Sequence, residues 1–263
     1  MRALLRLMSV AAFCTTPALG QWSVSNLSLA RQRVGAGATE DRFYFAGGCT
    51  QIGFTDVIDV YDSASSAWSQ INLSARMDNV SVAAVGDWVF FAGGRRPGTT
   101  PSGVVDVFHE PSGTWQQLIA PIAAQSLGAG AIGGKVYLFG GLNPALGWLA
   151  SVQVFDTVTG SWSVLPLPGG PRGYCSVSTD GRWLCSINSL VNDIDVFDTI
   201  TGNWQHTVAP GNNNTGTILD GKMYVVSCDL GVEEHRMSVL DLTTFSWSSM
   251  RRPVRRCLPP SEA

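Results

Sequence analysis

The 263-residue sequence has little charge, only three histidines and no long apolar run after its first twenty residues. Charged residues make up 14% of the chain and the formal net charge is −3, so no broad electropositive surface for nucleic acid is expected. The cysteines and histidines show no CxxC or Cys/His spacing typical of zinc sites. No later segment has the roughly 20 apolar residues of a membrane span. We therefore expect no nucleic acid, membrane span, metal or cofactor.

The chain is instead rich in hydrophobic residues, at 45%, and in glycine and tryptophan, which indicates a folded protein. At the N-terminus, Arg2 and Arg6 flank a short apolar run that is followed by the small residues Ala18 and Gly20. This pattern is typical of a secretory signal peptide ending at residue 20. The sequence thus predicts a secreted or extracytoplasmic protein.

A disulfide-permitting compartment gives the cysteines a possible structural role. Cys175 and Cys185 lie on either side of Asp180-Gly181, where a hairpin turn would bring the two strands together. Either a disulfide or two small buried thiols fits this spacing, and both interpretations stay open. Four asparagines match the N-glycosylation acceptor pattern, which matters only in a eukaryotic secretory path: Asn26, Asn72, Asn79 and Asn213.

The strongest feature of the sequence is an internal repeat with a period of 42 to 47 residues. Each copy ends in a tryptophan that follows a turn: Trp68, Trp115, Trp162, Trp204 and Trp247. Six residues earlier stands an acid in four copies and a histidine in one: Asp62, His109, Asp156, Asp198 and Asp241. An acid at this place is suited to accept hydrogen bonds from the amides of the turn.

Upstream, the first three copies carry an aromatic run that ends in a glycine pair: Gly47-Gly48, Gly93-Gly94 and Gly140-Gly141. The last two copies keep the aromatic residue and lose the pair. Turn dipeptides such as Gly133-Gly134 precede the aromatic run. Each unit therefore reads as four short antiparallel strands, the pattern of a β-propeller blade. The paired glycines are expected to let two backbones approach closely.

The glycine pair after an aromatic strand, together with the segment Val-x-Val-Tyr/Phe-Asp before the tryptophan, resembles the Kelch-repeat family, which includes the central domain of galactose oxidase. The resemblance covers residues 21–250 and leaves residues 251–263 as a basic tail. It implies an all-β propeller of four-stranded antiparallel blades with five Kelch-like repeats, and a WD-type propeller fits less well. Whether five blades close or form an incomplete six-bladed ring stays open, because Trp22 resembles a fourth strand without its first three.

Counting fourteen residues back from each glycine pair, or from its drifted equivalent, identifies five polar residues: Arg33, Asn79, Ser126, Arg172 and Asn213. In related Kelch propellers this position lines the channel mouth, so the resemblance implies that these residues contact a ligand. Two arginines favour a carboxylate or an acidic peptide. The alternative is a solvated strand start, and a glycan on Asn79 or Asn213 would conflict with ligand binding there.

Other polar residues have simpler interpretations. His109 occupies the turn-acid position and is expected to be structural, and His206 follows Trp204 on an outer strand. Asp59, Asp106 and Asp195 recur on the third strand, which we interpret as a solvent-facing pleat.

Together with the predicted signal peptide, the resemblance favours a secreted, monomeric, non-enzymatic module that binds a protein or glycan ligand, and no catalytic residue is assigned. One alternative is a sugar-acting enzyme similar to the sialic-acid mutarotases, in which Arg33 and Arg172 would hold a sugar carboxylate. A copper oxidase is disfavoured, because the 5 tyrosines and 3 histidines show no copper-ligand constellation. The other alternative is a truncated or degenerate repeat protein without a ligand.

Overall fold

The computed structural model describes residues 24–98, 101–188, 192–211, 214–228 and 235–250. Every regular element in these residues is a β-strand, which confirms the predicted all-β class. The part of the chain described contains no helix long and apolar enough to cross a membrane. The predicted signal peptide, Trp22, Asn213 and the basic tail 251–263 lie outside the described residues.

The strands form five four-stranded antiparallel sheets, the predicted blades, each built from consecutive strands of one repeat. Two short hairpins lie in the loops between the second and third strands of blades 1 and 3: β3–β4 (Cys49–Thr50 with Gly53–Phe54) and β13–β14 (Leu142–Asn143 with Gly147–Trp148). Blade 1 consists of β1 (Gly35–Ala38), β2 (Arg42–Ala46), β5 (Val57–Asp62) and β6 (Ala67–Asn72), with the hairpin β3 (Cys49–Thr50) and β4 (Gly53–Phe54). Blade 2 consists of β7 (Asp78–Val85), β8 (Trp88–Arg95), β9 (Val104–His109) and β10 (Thr114–Ile119). Blade 3 consists of β11 (Gly128–Ile132), β12 (Lys135–Phe139), β15 (Ser151–Asp156) and β16 (Ser161–Pro166), with the hairpin β13 (Leu142–Asn143) and β14 (Gly147–Trp148). The strands of blade 4 are β17 (Cys175–Thr179), β18 (Trp183–Asn188), β19 (Asp193–Asp198) and β20 (Asn203–Val208), and those of blade 5 are β21 (Thr215–Leu219), β22 (Lys222–Cys228), β23 (His235–Asp241) and β24 (Ser246–Met250).

The core lies between the blades, as a sheet with two apolar faces requires. Four hydrophobic clusters are described, and each joins two successive blades, from blades 1 and 2 to blades 4 and 5. The first strands pack side by side in the same succession, β1 on β7, β7 on β11, β11 on β17 and β17 on β21. Among the described strands, no comparable packing joins β21 to β1. The blades therefore form a connected series without a described contact between its two ends.

The glycine pair allows a linker to approach the sheet, as predicted. Gly140 and Gly141 have φ angles of 56° and 98°, in the left-handed region that favours glycine. A Cβ atom on Gly140 would collide with the carbonyl group of Arg172, in the linker that enters blade 4. The Gly141 amide donates to that same carbonyl at 2.8 Å. The pair thus joins one blade to the linker of the next.

The turn acids also have the predicted role. Asp156 accepts hydrogen bonds from the amides of Val158 and Thr159, each at 3.0 Å, and Asp241 makes the same two contacts in its own turn. The hydrogen bond from the Thr159 amide has the largest effect in lowering the pKa of Asp156, and the ammonium group of Lys135 lowers it further. Four copies of the repeat therefore stabilise the turn before tryptophan with a carboxylate.

Cys175 and Cys185 do not form the disulfide that their spacing left open, and both thiols are free. The register of the hairpin explains the outcome, because Cys175 lies opposite Asn188 while Cys185 lies opposite Ser178. An offset of three residues points the two side chains to opposite faces of the sheet. Burial raises the pKa of the Cys175 thiol to about 11. The second interpretation therefore holds in part: both thiols are free, Cys185 is buried, and Cys175 is half-buried.

Candidate functional site

Three of the five predicted ligand residues share one position at the start of the first strand. Arg33, Asn79 and Ser126 have φ angles of 58°, 53° and 56°, and each lies just before or within the innermost strand of its blade. The carbonyl of Arg33 accepts a hydrogen bond from the amide of Asn79 at 3.2 Å. The Ser126 carbonyl accepts one from Tyr174 at 2.7 Å. We call these residues, with Tyr174, the mouth positions.

The structure corrects the fourth member of this set, which is Tyr174 and not Arg172. Tyr174 has a φ angle of 52° and is hydrogen bonded to its counterpart Ser126. Blade 4 has no glycine pair from which to count, and its strand register shows that Asn188 occupies the place of the first glycine. Arg172 lies fourteen residues before Ser186, which is two residues before the true equivalent Asn188, so it is not the mouth position. Asn213, the predicted fifth member, is not among the described residues.

Arg172 is a buried structural residue. Its side chain has no exposed surface, and its Nη1 atom lies 2.8 Å from Oδ2 of Asp195, which is equally buried. Arg31 has the same place in blade 1, with Nη2 at 2.8 Å from Oδ2 of Asp59 and at 2.9 Å from the carbonyl of Phe45. A guanidinium that is enclosed in this way cannot reach a ligand.

Two exposed arginines meet instead at the mouth between blades 1 and 2. Asp78 is fully buried, and its Oδ2 atom lies 3.1 Å from Nη1 of Arg33 and 3.0 Å from Nη2 of Arg95. The side chains of Arg33 and Arg95 are 50% and 39% exposed. Arg95 also lies over the ring of Phe54, at 4.9 Å from its centroid. One carboxylate thus fixes two guanidinium groups that both keep a surface toward solvent.

The mouth of blades 3 and 4 is aromatic. Tyr174 is half exposed, and its ring centroid lies 5.7 Å from that of Trp148 on β14. The Trp148 ring rests on the backbone of Gly173, where a Cβ atom would overlap the indole. Glycine at this place therefore allows the indole to lie beside the mouth position.

The acids of the third strand are buried, so the predicted solvent-facing pleat is wrong. Asp59, Asp106 and Asp195 are at most 2% exposed, because each anchors the linker that enters its own blade. Asp106 accepts from the amide and hydroxyl of Ser74, and the carboxylates of Asp59 and Asp195 accept from the linker amides of Ser28 and Gly169. Gln153 has the same role in blade 3, with its side-chain amide bonded to the amide and carbonyl of Ile122.

The outer strand supplies a second partner to each of these acids. Gln70 and Gln117 donate from their Nε2 atoms to Asp59 and Asp106, at 3.2 Å and 2.9 Å. His206 takes this place in blade 4, with Nδ1 at 3.0 Å from Oδ1 of Asp195. Burial raises the pKa of Asp195, although the charges of Arg172 and His206 oppose the shift. His206 lies on the outermost strand, as predicted, and its role is to anchor a linker.

His109 has a structural contact in the turn, as expected. Its Nδ1 atom lies 2.7 Å from Oγ of Ser112, and its ring packs on Trp88 with centroids 4.2 Å apart. In blades 1 and 3 the residues at the positions of Trp88 and His109 form an ion pair instead, Arg42 with Asp62 and Lys135 with Asp156. No three metal-ligating side chains come together in the described part of the molecule.

The predicted glycosylation sites differ in access. Asn26 and Asn72 are exposed, at the start of the described chain and at the end of β6. Asn79 is half-buried at a mouth position, where a glycan would compete with a ligand. Their modification stays a prediction.

Comparison with known families finds the Kelch motif at residues 125–166. This segment covers β11 to β16, which is blade 3 with its intact glycine pair. A search of curated proteins finds no match to the chain. The motif supports the Kelch-repeat family, and together with the blade-like sheets it suggests a protein-interaction propeller.

Proposed function

We propose that this chain is a secreted protein-interaction module that binds an acidic segment of its partner at the mouth of blades 1 and 2. The observation that carries the proposal is the convergence of Arg33 and Arg95 on the single buried carboxylate of Asp78. Two cations around one anion leave positive charge at this point of the surface. Guanidinium groups recognise carboxylates through paired hydrogen bonds.

The arrangement also favours binding over a purely structural role. Asp78 holds both guanidinium groups in place before a ligand arrives, which lowers the conformational entropy lost on binding. The Phe54 ring supports the Arg95 guanidinium from one side. Trp148 and Tyr174 then offer an exposed apolar contact on the neighbouring blades. A partner segment with a carboxylate and an apolar side chain fits both halves.

The sugar-acting alternative required Arg33 and Arg172 to hold one sugar carboxylate. Because Arg172 is fully enclosed beside Asp195, that pair does not meet a ligand in this structure. No observation therefore favours the enzyme over the binding module.

A peptide array tests the proposal directly. The probe is a set of immobilised nine-residue peptides that carry zero to three glutamates and a single tyrosine in a serine background. We expect binding to rise with the number of glutamates, and Arg33→Gln and Arg95→Gln each to weaken it about tenfold, the effect of one charge-assisted hydrogen bond. Arg42→Gln is the matched control, since Arg42 is also 39% exposed and paired with an aspartate, Asp62, at the other end of the blade. Equal binding of neutral and acidic peptides, or an equal loss with Arg42→Gln, contradicts the proposal.

A further inference from the structure

The two end blades of the series each have one sheet face that no neighbouring blade covers. On the second strand, the position that faces the preceding blade is buried in blades 2 to 5, where its exposure is at most 1%: Val89, Val136, Leu184 and Met223. The equivalent residue of blade 1 is Phe43, which is 44% exposed. Blade 1 therefore presents to solvent a face that every other blade buries.

Blade 5 presents the complementary face. The second-strand residue that faces the following blade has no exposed surface in blades 1 to 4: Ala46, Ala92, Phe139 and Ile187. Its equivalent in blade 5, Val226, is 38% exposed. These two exposed faces correspond to the two sides of one inter-blade interface.

The exposed face of blade 1 has the same aromatic packing as its buried counterparts. The Tyr61 ring lies 5.0 Å from Trp68, and the Phe45 ring lies 5.9 Å from Trp68. In blade 2, Phe108 and Phe91 pack on Trp115 at 4.8 Å and 5.8 Å, and there blade 1 covers Phe91. The uncovered face of blade 1 therefore has the same aromatic arrangement as the covered face of blade 2.

The segment that precedes blade 1 has the sequence of a fourth strand and of the linker that follows it. The sequence Trp22-Ser-Val-Ser-Asn26 matches Trp68-Ser-Gln-Ile-Asn72 at the start of the next linker. The amide of Ser28 binds Asp59 just as that of Ser74 binds Asp106. Yet Val24 is 93% exposed and lies outside any strand. Residues 24–26 therefore have the sequence that begins a fourth strand but are not paired with any described sheet.

We propose that a separate polypeptide with a three-stranded antiparallel sheet of Kelch type docks here, pairs along residues 24–26 and covers the exposed faces of blades 1 and 5. The occupant is inferred from continuity with the four described inter-blade interfaces, in which each face meets an apolar sheet. Strand addition gives such a partner its backbone hydrogen bonds, and the apolar faces supply the driving force. This docking surface is separate from the mouth and does not depend on the proposed function.

The test uses the full chain with a synthetic peptide of residues 125–157, which contains the first three strands of blade 3. The peptide need not fold alone, because strand addition orders it on binding. We expect saturable binding of one peptide per chain by calorimetry, weakened at least tenfold by Phe43→Asp and by Val226→Asp. Val208→Asp is the control, since Val208 is 55% exposed on blade 4, which borders neither face.

Three results would overturn the proposal. One is the absence of binding by the peptide, and another is an equal loss of affinity with Val208→Asp. The third is a concentration-dependent dimer of the native chain, seen by sedimentation, that Phe43→Asp abolishes, because a second copy would then be the occupant. Spin labels at positions 43 and 226 keep the surface testable if a variant fails to fold. Labels that report direct contact between blades 5 and 1 contradict the proposal, and labels that move on peptide addition support it.

Discussion

The sharpest consequence of the buried third-strand acids concerns Asp106. Its carboxylate is 1% exposed and accepts three hydrogen bonds, from the Ser74 amide at 3.0 Å, the Ser74 hydroxyl at 2.9 Å and Gln117 at 2.9 Å. Hydrogen bonds to a charged acceptor contribute about 1.5–3 kcal/mol each. Ser74 and Gln117 reach solvent and can bond to water after the change, which offsets part of the loss. Asp106→Ala is therefore expected to lower the free energy of unfolding by about 3 kcal/mol in total.

Thermal unfolding followed by circular dichroism measures this loss. In a domain of this size, roughly 2–4 °C of Tm is lost per kcal/mol, so Asp106→Ala is expected to lower Tm by roughly 6–12 °C. The control is Asp87→Ala, the same replacement in an exposed turn of the same blade, which should leave Tm nearly unchanged. If the two variants melt together, Asp106 does not anchor the linker and the reasoning fails.

Other predictions follow from the repeated positions. His206→Gln should keep the native Tm, because glutamine fills this place in blades 1 and 2, whereas His206→Ala should lower it; equal melting of both would contradict the anchor. Gly140→Ala should lower Tm at least twice as much as Gly133→Ala, since both have positive φ but only Gly140 faces a carbonyl, and equal losses would refute the close approach. The lowered pKa of Asp156 stabilises the fold above its unfolded value of 3.8, and this contribution is lost as pH falls through the folded pKa. The Tm difference between the native chain and Asp156→Ala should therefore be full at pH 7 and decrease as the pH falls below 3.8; a constant difference would contradict it.

The fold could be predicted because its signals are local and repeated. Tryptophan, the turn acid and the glycine pair each act within a few residues, and five copies place them in one register. His109 could be assigned to the turn in the same way. The hairpin disulfide could not be decided, because a shift of a single residue in register changes the face on which a cysteine lies.

The site was harder to predict because its contacts join distant segments. Asp59 and Asp106 bind linkers about thirty residues away in the sequence. Because such distant partners are not visible in the sequence, acids that recur on a strand were interpreted as facing solvent. Glutamine recurs eleven residues after each of these acids, at Gln70 and Gln117, and this paired repeat was the available signal. The sequence does not identify Arg95 as a site residue, because Arg95 and Arg33 are connected only through their ion pairs with Asp78, whose burial depends on the fold.

Distances between the fourth strands test the central architecture most directly. The residue after each repeat tryptophan is exposed and can carry a spin label in a cysteine-depleted background: Ser69, Gln116, Ser163, Gln205 and Ser248. Pulsed dipolar spectroscopy on pairs of these labels should give one common distance for neighbouring blades and one longer common distance for blades two apart. Unequal distances between neighbours would show that the five sheets do not repeat about a shared axis.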